Sequence, residues 1–294
     1  MSTTSALLTT EEPIRRTPIG VLVLLRGYPR VTAAGGLVAL LFLIALLAPL
    51  ISPHDPLAVN ADDSYLRPFS PGHWLGTDEL GRDLLSRVLW GARVSLPVAF
   101  VAVGVGVVGG GIIGLASGYA GGFTDLLLMR VVDALLAFPG LILAIAIVAA
   151  LGPGLRNAMI AIGIVAIPVY ARLVRAITLQ LKQLEFVTAT RSLGASPARL
   201  ILRHIIPNLL NPVIVQVSLS AGFAILAEAT LSFLGLGAQV PTPDWGQMIN
   251  TGAAFLANDP WLAIIPGIAI SITVYSFNFL GDSLRDALDP RLRG

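Results

Sequence analysis

The chain has no cysteine, a single lysine, and only 12% charged residues among 294. Each shortage excludes something. Without cysteine there is no disulfide framework and no thiol chemistry, so thiol usage says nothing about the redox compartment. The one lysine, Lys182, follows Leu181. A Walker A loop needs Gly-Lys followed by Ser or Thr to cradle phosphates, so this polypeptide is not a P-loop ATPase. If nucleotide hydrolysis drives it, another chain binds the nucleotide. Soluble domains carry roughly 25% charged residues, about twice what is present here. With 55% apolar residues and a mean hydropathy of +0.82, the chain reads as an integral membrane protein. No His-Glu-x-x-His or Gly-x-Ser-x-Gly stands in an apolar run, which leaves an intramembrane enzyme without a motif.

What is present is a series of apolar blocks separated by short charged segments. The fold class expected is an all-α polytopic membrane protein with six transmembrane helices. Residues 1–30 read as a cytoplasmic arm in which Arg15, Arg16, Arg26 and Arg30 anchor the first span, 31–52. The apolar run Val31 to Ile51 is too long for a signal-peptide core, and no small-residue cleavage site follows it. Residues 53–93 read as an outer loop, its acids outnumbering its arginines. Within it Leu84/Val88 and Leu85/Leu89 pair four apart, opposite Arg82, Ser86 and Arg93, as in an amphipathic helix lying in the interface. Asp78–Arg82 and Asp83–Arg87 have ion-pair spacing, each pair worth about 0.2–0.5 kcal/mol.

The transmembrane domain is expected over 94–283, with a cytoplasmic tail at 284–294 carrying Arg285, Arg291 and Arg293. Its first helix, span two, places Gly106, Gly110, Gly114, Gly118 and Gly122 four apart. That leaves one face nearly bare backbone, suited to close helix packing. Span three, 126–151, carries Arg130 and Asp133 near its start. A charge at mid-bilayer costs about 2.5–3.5 kcal/mol on insertion scales, so both are expected near the interface or in a local pair. Span four follows Gly152-Pro153-Gly154, is kinked by Pro168, and ends in Arg172 and Arg175. Span five, 209–234, contains the isolated Glu228, and span six runs from Trp261 to about residue 280. Trp245 and Trp261 are expected at headgroup level. Arginines gather at the arm, at the segment after span four and at the tail, so the positive-inside rule puts both termini in the cytoplasm.

The most informative stretch lies between spans four and five, residues 182–207. It reads as two short helices with a defined break. Leu193 ends the first, Gly194 supplies a left-handed residue, Ser196 caps the second, and Pro197 occupies its first position. Phe186, Ala189 and Leu193 make an apolar stripe on the first helix. Such a pair cannot span a bilayer and is expected to be a docking element at the membrane surface.

This stretch resembles the cytoplasmic coupling loop of importer-type ATP-binding cassette permeases. Thr188-Ala189-Thr190 stands at the family's Glu-Ala-Ala positions, Gly194 at its glycine, and His204-Ile205-Ile206-Pro207 at its closing proline motif. Thr188 departs from the family's acidic residue, and Glu185, one turn earlier, is the substitute. Leu75-Gly-Thr-Asp-x-x-Gly-Arg-Asp-x-x-Ser-Arg87 and the later Leu-Ser-Phe-Leu-Gly-Leu-Gly…Pro-Thr-Pro-x-Trp-Gly resemble the dipeptide/oligopeptide branch. The first span resembles the extra N-terminal helix of one subunit of those systems.

The resemblance implies a subunit of a bacterial or archaeal plasma-membrane importer of di- or oligopeptides, with no catalytic site and no metal or cofactor of its own. Its implied partners are a second homologous permease, two cytoplasmic ATPases holding ATP and Mg, an extracytoplasmic substrate-binding protein and lipid, with no nucleic acid. Coupling residues implied are Glu185, Thr188, Ala189, Arg191, Gly194, Ala195, Ser196 and Arg199. Polar residues of the spans, Gln216, Ser220, Glu228 and Asn278, are candidates for lining the pathway. The rival class is a proton-coupled secondary transporter working as a lone chain through Asp133 and Glu228; internal repeats, which would favour it, are not evident.

Overall fold

The computed structural model describes residues 28–288, and among them every regular element is helical. The arm's Arg15, Arg16 and Arg26 and the tail's Arg291 and Arg293 lie outside the described residues. Helix α1 spans Pro29–Ile51, α2 Leu84–Ala120, α3 Gly122–Leu136, α4 Gly140–Leu151 and α5 Leu155–Lys182. After the short α6, Glu185–Ser192, come α7, Pro197–Leu200, a π-helical turn over Ile201–Ile205, and α8, Ile206–Phe233. Helix α9, Trp245–Ala253, and α10, Trp261–Leu288, complete the described chain. Among the described residues, five helical stretches are long and apolar enough to cross a membrane, or six when α3 and α4 count as one broken span.

The centre of the fold is α2 packed along α5. A Cβ on Gly106 would lie 2.7 Å from Ala166 Cβ, on Gly110 2.5 Å from the Ile167 carbonyl oxygen, and on Gly114 2.5 Å from the Ala171 carbonyl oxygen. One on Gly118 would lie 2.9 Å from Thr178 Cβ. The glycine face is therefore a backbone-to-backbone seam, as its spacing suggests. Gly122 leaves the series: its φ is +54°, and it starts α3 after the turn at Gly121.

Three elements differ from the expected layout. The amphipathic segment at 84–93 is not a separate interfacial helix but the first turns of a continuous 37-residue α2. Asp83 caps that helix by accepting from Ser86 N, and no break follows. Its Leu84, Ser86 and Arg87 are buried within the protein rather than laid on lipid. At about 1.5 Å per residue, α2 is near 55 Å long and projects beyond a hydrocarbon layer of about 30 Å.

Span three is bent by 91° between α3 and α4. Pro139 lacks the N–H needed to continue α3 and sits extended (φ −56°, ψ 128°) at the N-cap of α4. The uninterrupted apolar run hides this break.

The second short helix after Gly194 does not end before span five. It passes through the π turn, where Ile206 N–H reaches the Ile201 carbonyl oxygen, straight into α8. Pro207, without a donor, sits at the first turn beyond that turn, where its missing bond is accommodated.

The ends sort into two faces. The start of α1, the end of α5, α6 and α7 and the end of α10 lie together, and Arg30 stands 4.0 Å from Asp286 there. The loop 52–83, the turn at Gly152–Gly154 and α9 lie at the opposite face, where Gly154 N–H donates to the Leu236 carbonyl.

Candidate coupling segment and membrane cavity

The hairpin between α5 and α8 is built on a small apolar cluster. Val174, Leu181, Ile205 and Leu209 are buried together, with Ile177, Ile201 and Val213 packed around them. Val187 of α6 and Leu200 of α7 are buried as well. The expected stripe of Phe186, Ala189 and Leu193 is exposed, Leu193 by 88%. An eight-residue helix is oriented by whatever it sits on. Here Val187 is the anchor, so the other apolar side chains are left facing outward.

The break itself has the expected local chemistry. Gly194 has φ +83°, a conformation that costs an L side chain about 1–2 kcal/mol. Its N–H donates to the Arg191 carbonyl, and Ala195 N–H to that of Thr190. Ser196 Oγ accepts from Arg199 N–H at 3.3 Å, and Pro197 opens α7. Glu185, Thr188, Ala189, Arg191, Ser196 and Arg199 are exposed on this unit, and Ala195 is half-buried. The hydroxyls of Thr188, Thr190 and Ser192 donate back to carbonyls four residues earlier, so they do not stand free on the surface. Glu185 sits in the first turn of α6, where a negative charge complements the helix dipole.

Three cations along α5 brace this end of the fold. Arg175 holds Asp125 of α3 through two parallel bonds, Nε to Oδ1 and Nη2 to Oδ2, both 2.6 Å. Ser117 Oγ of α2 donates to the same carboxylate. Arg172 Nη2 lies 2.7 Å from Asp133 Oδ1, also on α3. Lys182 Nζ donates to the carbonyls of Gly118 and Tyr119, 3.2 and 2.7 Å away, and lies over the Tyr119 ring. The chain's one lysine thus caps the C-terminus of α2. These bonds tie α5, which leads into the hairpin, to α2 and α3. The sequence placed Asp133 near the interface or in a local pair, and its partner proves to be on another helix. Nothing in the sequence named Asp125–Arg175, because fifty residues separate the two.

The candidate pathway residues fall in different places. Gln216 and Ser220, joined by a 3.2 Å hydrogen bond, line a cavity of about 350 Å³. It sits against the α3–α4 bend, where Leu136, Phe138 and Gly140 form the facing wall. Glu228 lies elsewhere and is wholly buried. Its Oε1 accepts from Ser232 Oγ at 2.9 Å, and Asp244, the N-cap of α9, is buried beside it. Asn278 of α10 is exposed and faces Gly222 of α8, where a Cβ would stand 3.1 Å from its Oδ1. Only two of the four therefore share one cavity.

The motifs at 75–87 and 231–246 prove to be interlocked. Arg82 Nε donates to Asp78 Oδ2 at 2.7 Å, and Arg87 Nε lies 3.3 Å from the same oxygen. The expected Asp83–Arg87 pair does not form, because Asp83 is occupied as the α2 cap. A Cβ on Gly76 or Gly81 would strike backbone, so these turns admit only glycine. Trp245 is buried within the protein, stacked against Gly91, and its indole N–H donates to the Val88 carbonyl at 2.9 Å. Trp261 is 43% exposed at the start of α10.

Packed apolar helices seamed by glycine, with a braced hairpin at one face and a cavity between helices, define a multi-pass helical membrane protein. A solved chain of the MetNI methionine ABC transporter shares the fold, with a TM-score of 0.58 and 20% identity over 70% of this chain and 98% of that one. A chain of an amino acid ABC transporter does so with a TM-score of 0.52, covering 67% and 92%. Residues 110–294 match the family described as binding-protein-dependent transport system inner membrane component, and the chain belongs to that family. It is 47% identical to the dipeptide transport system permease protein DppC of Alkalihalophilus pseudofirmus, over 85% of this chain and 82% of the relative. Glutathione transport system permease protein GsiD of Escherichia coli O6:K15:H31 is 48% identical over 87% and 85%. The probable D,D-dipeptide permease DdpC of Escherichia coli K12 is 44% identical over 92% and 91%. Family membership favours the binding-protein-dependent importer over the proton-coupled alternative built on Asp133 and Glu228.

Proposed function

We propose that this chain forms half of the membrane pathway of an ATP-driven importer for short peptides, and that residues 182–207 receive the motion of a separate ATPase. The observation that carries the reading is the hairpin. It is capped, anchored by Val187 and Leu200, and still presents Phe186, Leu193, Glu185 and Arg191 outward. A rigid unit with an exposed apolar and charged tip suits docking to another protein, and its braces to α2 and α3 suit transmission of a displacement. Glu185 and Arg191 supply charges, while Thr188, Ala189, Gly194, Ala195, Ser196 and Arg199 set the shape of the tip.

The basic face is the cytoplasmic one in this reading, with both termini inside and the loop 52–83 outside. ATP and Mg belong to two ATPase partners, since no Walker A sequence stands in this chain. A second, homologous permease completes the pathway, and a binding protein delivers cargo to the outer face. The chain itself catalyses no reaction. Cargo class follows from the relatives, which are named for dipeptides, glutathione and D,D-dipeptides, all short peptides. Gln216 and Ser220 are the groups of the cavity that would meet a peptide's amides.

The test is reconstitution of the chain with its permease, ATPase and binding-protein partners in liposomes. Dipeptides or glutathione should stimulate ATP hydrolysis and accumulate inside in proportion to it. Uptake by the lone chain, driven by a proton gradient without ATP, would overturn the proposal.

A further inference from the structure

We propose that His54, His73 and Asp83, in the loop between α1 and α2, form a binding site for a divalent transition ion of the zinc type. The three lie in one loop at separations of 19 and 10 residues, which match no metal-binding motif, so the sequence assigned no ligands here. The fold brings one ligand atom from each to within 4.8 Å of the others. Asp83 Oδ1 lies 2.9 Å from His73 Nδ1 and 3.7 Å from His54 Nδ1. The two imidazoles stack with centroids 4.7 Å apart and an interplanar angle of 25°. Tetrahedral zinc, with bonds of about 2.0–2.2 Å, needs donor atoms roughly 3.3 Å apart. Small side-chain rotations close that difference.

The ligands are held as metal ligands are held. Asp83 is fully buried, and its Oδ2 is fixed by Ser86 N–H at 2.8 Å and Ser86 Oγ at 2.7 Å. That leaves Oδ1 directed at the imidazoles. His54 N–H donates to the same Ser86 Oγ at 3.1 Å, which ties the second ligand's backbone to the first ligand's support. Behind His73 stands a further carboxylate, Asp63, with Oδ2 3.9 Å from Nε2. In the free site Asp83 Oδ1 accepts from His73 Nδ1–H, so an ion at Nδ1 requires the tautomer with its proton on Nε2, the ring edge that faces Asp63. Two nitrogens and one oxygen favour zinc or a neighbouring transition ion over magnesium or calcium, which prefer oxygen shells. His54, with its side chain 41% exposed, gives the ion a route in and leaves a fourth position for water. Occupancy would cross-link the end of α1, the turn before His73 and the start of α2.

The test uses the assembled transporter in detergent, stripped with a chelator and titrated with Zn²⁺ against a chromogenic competitor. The expected result is about one Zn²⁺ per copy of this chain. Affinity should fall at least 10-fold in His54→Ala and further in the His54→Ala/His73→Gln double variant. X-ray absorption should show nitrogen and oxygen donors at about 2.0–2.2 Å. No stoichiometric uptake, or uptake unchanged in His54→Ala, would overturn the proposal and leave the cluster as a hydrogen-bonded staple. Because His54 is partly exposed, that single variant decides the matter even where the double variant fails to assemble.

Discussion

Gly110 and its neighbour Gly111 provide an internal control for the seam between α2 and α5. Both lie in the same helix, and each would gain only a methyl group on substitution by alanine. On Gly110 the new Cβ would meet the Ile167 carbonyl oxygen at 2.5 Å, Tyr170 Cβ at 2.5 Å and Ala171 N at 2.8 Å. On Gly111 nothing lies within 4 Å. Alanine is favoured over glycine in a helix interior by about 0.8–1.0 kcal/mol at either site. At Gly110 that gain is opposed by overpacking of about 1–3 kcal/mol. The upper half of that range applies, because two of the three atoms met are backbone and cannot rotate away. Gly110→Ala should therefore destabilise by about 1–2 kcal/mol, while Gly111→Ala should stabilise by about 0.8–1.0 kcal/mol. The two variants should differ by about 2–3 kcal/mol, roughly 30- to 150-fold in the folding equilibrium. Denaturation of the purified chain in detergent, followed by circular dichroism, measures this directly. Equal unfolding midpoints for the two variants would refute the seam.

Other expectations follow from the braces and the cavity. Asp125→Asn should cost about 1–2 kcal/mol by replacing a bidentate, partly buried ion pair with a weaker neutral contact, seen as a lower unfolding midpoint and a reduced ratio of uptake to ATP hydrolysis. Gly194→Val should reduce that ratio through backbone strain of about 1–2 kcal/mol, whereas Gly194→Asn, which tolerates the left-handed conformation, should largely retain it; full uptake by the valine variant would remove the lever argument. Gln216→Ala with Ser220→Ala should change the apparent KM for peptide several-fold at unaltered membrane insertion, because both line the cavity. Glu228→Gln, buried away from that cavity, should leave the KM unchanged, and a shifted KM would return Glu228 to the pathway.

Much of the hairpin was legible because its signals are local. Gly194, Ser196 and Pro197 act through the backbone of their own turn, and turns of this kind behave alike wherever they occur. The same holds for the glycine spacing of α2, which has one common use between membrane helices. Orientation of α6 was not legible: an eight-residue segment has several apolar directions, and only the cluster under Val187 selects one. The bend at Pro139 was missed because the apolar run through it has no polar interruption. Glu228 stood out as an isolated acid, yet isolation in sequence says nothing of Ser232 or Asp244 closing over it. Trp245 was assigned to the headgroups from residue type, while Gly91 provides the slot that buries it.

By itself the sequence determined a six-block membrane helical chain, a capped and broken hairpin with a basic surround, and the lack of a nucleotide-binding loop. These follow from composition, hydrophobic length and turn chemistry, which act over a few residues. Only the tertiary structure decided that Lys182 caps α2, that Arg175 grips Asp125, that Gln216 and Ser220 share a cavity without Glu228, and that two histidines converge on Asp83. The first two join residues fifty or more positions apart, and the others depend on which side chains the packed helices and the folded loop turn toward one another, which no local pattern encodes.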